Sequence, residues 1–181
     1  MLVSFTGAQS SGKTTLLNKA KVDSDFRNWN FVPEVTRVVK RKGLQINESG
    51  DNMTQLYILA EHLYNHSIKH DTVLDRCILD GLVYTLYLNY KGKVDHWVEQ
   101  YARSLYDMLI DKIDIIFYTD PNIPLTDDGE RSVNKQFKSD IVGIFNTMIS
   151  KPEVRNKIVM LSGDVTTRFD KFKQTIKDFK S

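Results

Sequence analysis

Gly7-Ala8-Gln9-Ser10-Ser11-Gly12-Lys13-Thr14 satisfies the pattern G-x-x-x-x-G-K-[ST] at every defined position. Met1-Leu2-Val3-Ser4-Phe5-Thr6 reads as a short buried strand, and Thr15-Leu16-Leu17-Asn18-Lys19-Ala20 as the first turns of a helix. Strand, loop and helix in that order are the context the motif requires; without it the stretch would be an ordinary glycine-rich turn. The two glycines let the main chain wrap tightly. Successive amides and the helix N-terminus then face a phosphate chain, and the Lys13 ammonium neutralises its β and γ oxygens. Thr14 offers its hydroxyl to magnesium. The expected ATP contacts are therefore Gly7, Gln9, Ser10, Ser11, Gly12, Lys13, Thr14 and Thr15.

Outward from this loop, short apolar runs alternate with helical segments. Strands are expected at 2–6, about 30–32, 72–75, 113–118 and 158–161. Helices are expected near 13–22, 34–42, 52–69, 80–90, 95–110, 133–150 and 165–179. This alternation implies a parallel sheet covered on both faces. Between the fourth strand and the next helix lies Thr119-Asp120-Pro121-Asn122-Ile123-Pro124-Leu125-Thr126-Asp127-Asp128-Gly129. Its prolines and glycine continue neither element, so about 120–135 is a candidate lid.

With 181 residues the chain holds one domain's worth of sequence, 1–181, enough for a sizeable core. At 41% hydrophobic and 27% charged residues, the composition excludes a disordered chain. No run approaches the ~18 apolar residues that would span a bilayer, and no signal segment precedes the first strand, so a cytoplasmic protein without a membrane partner is expected. A lone Cys77 excludes an internal disulfide and reads as a small apolar side chain. The net charge of +2 gives no argument for nucleic-acid binding by itself. Two basic segments, Arg37-Lys40-Arg41-Lys42 and Arg168-Lys171-Lys173-Lys177-Lys180, read as solvated helix faces. His62, His66 and His70, at four-residue spacing without an HExxH pattern, read as an exposed helix face rather than a metal site.

Ligands of open α/β sheets bind at the carboxyl ends of the strands. Those ends carry charge here: Pro33-Glu34-Val35-Thr36-Arg37, then Asp75-Arg76-Cys77-Ile78-Leu79-Asp80, then Asp127-Asp128-Gly129-Glu130-Arg131-Ser132. Each cluster could serve only as a helix cap, but three at one edge facing a phosphate loop favour an active site.

These residues together resemble the P-loop nucleoside and nucleotide kinase superfamily. Within it the chain is most similar to the ATPase-like family that includes the nicotinamide-riboside kinase domain of the bacterial bifunctional NAD-biosynthesis regulator. The resemblance rests on Gly7 to Thr15, Glu34, Asp75 and Asp127 to Ser132, and spans nearly the whole chain. It implies a three-layer α/β sandwich on a five-stranded parallel sheet, with the third strand beside the first and Asp75 next to Thr14. Asp75 would then bind magnesium or accept the proton of the acceptor hydroxyl; Asp120, beside Pro121, is a weaker candidate for that place. Lys13, Arg76 and Arg131 are the implied cations of phosphoryl transfer, Arg131 reaching in from the lid. By analogy with deoxynucleoside kinases, Glu34 would bind or deprotonate the acceptor hydroxyl, with Arg37 nearby; its alternative is a helix-starting residue after Pro33. Gln55, with Tyr57 and Tyr64, would read the acceptor base unless these residues are core. Arg76 and Asp80 complete the acceptor set, and Ser162-Gly163-Asp164 resembles the turn beside the donor adenine.

Three function classes are open at this level. One is a small-molecule kinase using ATP and Mg2+ on a nucleoside or nucleoside monophosphate. Another is a kinase acting on a modified base or an end within DNA, whose phosphates the basic segments would contact. The last is a nucleotide-hydrolysing regulatory module.

Overall fold

The computed structural model describes residues 1–122 and 134–181. Five parallel strands, β1 (Leu2–Thr6), β2 (Asn30–Val32), β3 (Thr72–Asp75), β4 (Ile115–Thr119) and β5 (Ile158–Leu161), form one sheet in the order β2-β3-β1-β4-β5. Their crossovers carry α1 (Lys13–Val22), α2 (Val35–Arg41), α3 (Asn52–Asn65), α4 (Ile78–Tyr90), α5 (His96–Leu109), α6 (Lys135–Ile149) and α7 (Pro152–Arg155), and α8 (Val165–Lys180) follows the last strand. This is the expected three-layer fold, with β3 beside β1.

Strand alternation divides the core in two. Val3 and Phe5 of β1, Val73 of β3, and Ile115 and Phe117 of β4 face α1 and α8, where they meet Leu16, Leu17, Phe169 and Phe172. Leu2, Leu74, Ile116 and Tyr118 face the other way, toward α3, α4, α5 and α6. Both faces being covered explains why the central strands read as near-continuous apolar runs. Thr6 shares the second face, which brings its hydroxyl to Asp80 of α4 at 2.5 Å.

The expected element positions stand with four differences. The fourth strand starts at Ile115 instead of 113, because Ile110–Lys112 forms a 3-10 turn and Asp114 turns its carboxylate back to accept from Leu2 N at 2.7 Å. The third helix ends at Asn65 instead of 69: His66 caps it and its Nδ1 bonds the His62 carbonyl at 2.6 Å. The fourth begins at Ile78 rather than 80, since the Asp80 carboxylate in its first turn accepts from Cys77 N at 3.0 Å. The short α7 has no counterpart in the sequence reading. Among the described residues, no helix is long and apolar enough to cross a membrane.

Candidate active site

The phosphate loop links β1 to α1 through backbone only glycine adopts at ease. Gly7 has φ 129° and Gly12 φ 80°; a Cβ on Gly7 would stand 2.8 Å from Thr119 Oγ1. The crest is tied down by Ser11, whose Oγ lies 2.8 Å from Ala8 O and 2.5 Å from Thr119 Oγ1. Lys13 is buried, contrary to the exposed loop lysine that the motif suggests. Its Nζ donates to Gly7 O (2.9 Å), Ala8 O (2.7 Å) and Ser11 Oγ (3.1 Å). Burial, and after it the Arg76 charge, lowers its pKa to about 7.

At the end of β3, Asp75 accepts from Thr14 Oγ1 at 2.7 Å through Oδ2. Its other oxygen, Oδ1, is buried without a hydrogen-bond partner among the described residues. Burial first, and the neighbouring Glu34 second, raise its pKa above the usual carboxylate range. Asp120 is differently engaged: its Oδ1 accepts from Asn122 N at 2.9 Å within its own turn.

Arg76 joins the other charged residues. In a left-handed conformation at φ 81°, it donates from Nε to Glu34 Oε1 at 2.6 Å and from Nη1 to Asp80 Oδ1 at 3.0 Å. The same Nη1 reaches Gly7 O at 3.2 Å and the Tyr84 hydroxyl at 3.3 Å. Gly7 O thus accepts from both Lys13 and Arg76. Arg37 lies at 3.8 Å from the second oxygen of Glu34. So Glu34, Arg37, Asp75, Arg76 and Asp80, distant in sequence, converge beside the phosphate loop, with Arg76 spanning two carboxylates.

Beyond Arg76 opens a cavity between α2, α3 and α4, lined by Val35, Gln55, Ile58, His62, Asp80 and Tyr84, among others. Gln55 lines it and accepts from Thr85 Oγ1 at 3.0 Å. Tyr64, in contrast, is 69% exposed and takes no part, while Tyr57 packs against the small cluster of α2 and α3 under Lys42; the aromatic of the cavity is Tyr84. His62 and His66 do not form an exposed face either. Both are buried, because α3 packs this side against α4, where a Cβ on Gly81 would stand 2.9 Å from the His62 ring. His62 Nδ1 has no partner among the described residues, and burial, then His66, lowers its pKa to about 3, so the ring is neutral.

Arg168 departs from the solvated face expected for the last helix: it is 4% exposed and donates from Nη1 to Ser11 O at 3.0 Å. The turn Ser162-Gly163-Asp164 is exposed, and Asp164 caps α8 by accepting from Thr167 N at 2.8 Å. Most of the candidate lid, with Arg131, lies outside the described residues. Thr6, Tyr84, Thr119 and Arg168 were missed because nothing local distinguishes them; only their positions just after or at the ends of β1, β4 and β5, or on α4, offered a signal.

A P-loop flanked by acidic strand ends on a parallel sheet defines the class of P-loop nucleotide kinase-like domains. The model of the AAA domain family matches residues 2–168, and the chain belongs to that family. No curated protein matches it in sequence. Among solved structures, it is similar to the NadR protein in complex with NAD and AMP-PNP (TM-score 0.72, 16% identity), covering 98% of this chain and 48% of that one. This chain therefore spans about half of NadR. It is also similar over 99% of its length to all of deoxyadenosine kinase from M. mycoides, solved with dCMP and dCDP (TM-score 0.73, 12% identity). Thymidylate kinase from Ehrlichia chaffeensis is similar at TM-score 0.64 and 19% identity, over 98% of both chains. At these identities the likeness speaks for the fold.

Proposed function

We propose that this chain is a kinase that transfers the γ-phosphoryl group of ATP to a hydroxyl of a nucleoside or nucleoside monophosphate. The observation that carries the reading is the hydrogen bond of 2.7 Å between Thr14 and Asp75. It joins the phosphate loop to a charged cluster whose Arg76 and Asp80 line the cavity between α2, α3 and α4. Donor phosphates and acceptor thereby have adjoining places, as phosphoryl transfer requires.

The donor set fits a hard divalent cation. Thr14 Oγ1 and the unpartnered Oδ1 of Asp75 are oxygen ligands of the kind Mg2+ takes beside substrate phosphates. Bound there, the ion would neutralise charge on the phosphate oxygens. Lys13 is held within the loop and supplies the cation the β and γ oxygens need. The loop amides and the start of α1 add fixed partial charges that need no reorganisation during transfer. Glu34, fixed by Arg76, accepts the hydrogen bond of the acceptor hydroxyl and orients it. A loose transition state asks little of a base, so a carboxylate held in an ion pair suffices. Gln55 and Tyr84 contact the ring of the acceptor, and Asp80 and Arg37 hold the cluster in place from behind and beside.

The test is a phosphoryl-transfer screen of nucleosides, nucleoside monophosphates and short DNA with Mg-ATP, run on the wild type and on Lys13→Ala. Transfer to a small acceptor, reduced on the order of a hundredfold or more in the variant, is the expected result. Transfer only to DNA, or wild-type turnover in Lys13→Ala, overturns the reading.

A further inference from the structure

Arg168 is a buried cation that the reaction as described does not use. It comes from the first turn of α8, on the far side of the sheet from the acceptor cavity, and both of its hydrogen bonds among the described residues end on main-chain carbonyls. Nε donates to Asp164 O at 3.2 Å and Nη1 to Ser11 O at 3.0 Å. The Asp164 carboxylate itself is occupied with capping α8. The guanidinium also presses on the loop: a Cβ on Gly12 would stand 2.9 Å from Nη1.

The carbonyl that Arg168 grips belongs to the peptide joining Ser11 to Gly12. No peptide bond of the described chain is cis, and in a trans peptide the C=O and N–H point in opposite directions. Fixing Ser11 O toward α8 therefore turns the Gly12 N–H away from α8. That amide donates to no atom of the described residues, and it directly precedes α1, whose first intrahelical bond runs from Leu16 N to Gly12 O at 3.2 Å. Gly12, at φ 80° and ψ 12°, would permit other orientations of this peptide, because glycine carries little intrinsic preference. On the opposite flank, Thr119 holds Ser11 by its side chain and Thr6 O by a bond of 3.0 Å, which fixes the crest but not the plane of the Ser11–Gly12 peptide.

We propose that Arg168 is a positioning residue for the phosphate loop: by holding Ser11 O it sets the Ser11–Gly12 peptide plane so that the Gly12 amide faces the nucleotide's phosphates. The proposal rests on the reading of residues 7–15 as a phosphate-binding loop. It assigns to α8 a share in recognising the donor that the loop motif does not contain, and it explains why a helix otherwise exposed along its basic face buries its one arginine. The guanidinium additionally contributes a positive charge behind the loop, in the same sense as the bound anion requires.

The test compares binding of Mg-ADP and of adenosine, by calorimetry, to the wild type, Lys13→Ala, Arg168→Met and Arg168→Lys. Loss of a charge-assisted hydrogen bond weakens binding roughly ten- to a hundredfold. Arg168→Met is expected to lose Mg-ADP affinity on that scale while adenosine affinity stays within twofold, and Arg168→Lys to recover part of the loss. The Gly12 amide resonance should shift in Arg168→Lys without ligand, while resonances of β1 and β3 stay in place. Equal losses for Mg-ADP and adenosine, or none for either, overturn the proposal and leave Arg168 a brace of α8. Should Arg168→Met not fold, Arg168→Lys decides on the same two readouts: an unmoved Gly12 resonance with unchanged Mg-ADP affinity overturns it. If Lys13→Ala binds Mg-ADP as the wild type does, the phosphate-loop reading itself fails, a result separate from any behaviour of Arg168.

Discussion

Asp75 is held in a position that costs stability. Its carboxylate is buried beside Glu34, with one oxygen unpartnered among the described residues, and both burial and Glu34 oppose its charge. Asp75→Asn keeps an oxygen for Thr14 and removes that charge. It should lower turnover on the order of a hundredfold and at the same time raise the midpoint of urea unfolding. Steady-state kinetics and urea titrations on the same preparation check both halves; a variant that is inactive and less stable would remove Asp75 from the site. At this scale the sequence was informative where a motif is contiguous. Residues 7–14 could be read directly, and Asp75 was distinguishable as a polar end to an apolar run. The Glu34–Arg76–Asp80 arrangement was legible only as two charged strand ends. Its pairing depends on β2 and β3 being neighbours and on the left-handed backbone of Arg76, neither of which local sequence reveals.

Helix α8 carries more of the molecule's stability than its polar sequence suggests, and α3 makes that stability depend on pH. Phe172 of α8 packs against Phe5, Phe26, Phe117 and Phe169, with ring centroids 4.8–5.8 Å apart. Phe172→Ala should therefore destabilise the fold by about 3–5 kcal/mol, the range for removing a fully buried phenyl ring, as measured by chemical denaturation. In α3, His62 and His66 have pKa values lowered to about 3 and about 4 from the ordinary 6.5. Unfolded chains bind a proton at each where the folded protein does not. Their neutral burial thus costs nothing above the unfolded pKa, and stability is lost as pH falls below it toward the folded values. Between pH 7 and pH 5 the pair should cost roughly 4 kcal/mol. His62→Asn should flatten that slope by about half, which urea midpoints at several pH values will show. The spacing of His62, His66 and His70 gave the helix but not which side it turns to α4. That choice is made by Gly81, whose missing side chain leaves room for the His62 ring.

For the molecule as a whole, the order β2-β3-β1-β4-β5 places the phosphate loop at the centre of the sheet and the cavity between α2, α3 and α4, proposed above for the acceptor, on one side of it. A small acceptor in that cavity exchanges few counterions, so its apparent affinity should change little between ~50 and ~200 mM salt, whereas a DNA acceptor would lose orders of magnitude. Reversing the charge of the exposed Arg41 and Lys42 should likewise leave transfer to a small acceptor nearly unchanged. Some stability should be lost with Lys42, whose ammonium sits 4.5 Å over the Tyr57 ring. A steep salt dependence together with collapse of activity in the reversed variant would favour DNA. The alternation of strands and helices made this architecture readable because each period is written locally; the cavity was not, since three separate helices, α2, α3 and α4, build it. Gly7 O, which accepts from both Lys13 and Arg76, also has a bearing on redesign. On the proposed reading, that one carbonyl serves both the donor and the acceptor side, so exchanging the corner after β3 to suit a new acceptor should also weaken ATP binding. Laboratory selection for altered acceptors should accordingly accumulate changes at Gln55, Ile58 and His62 along α3, and leave Arg76 untouched.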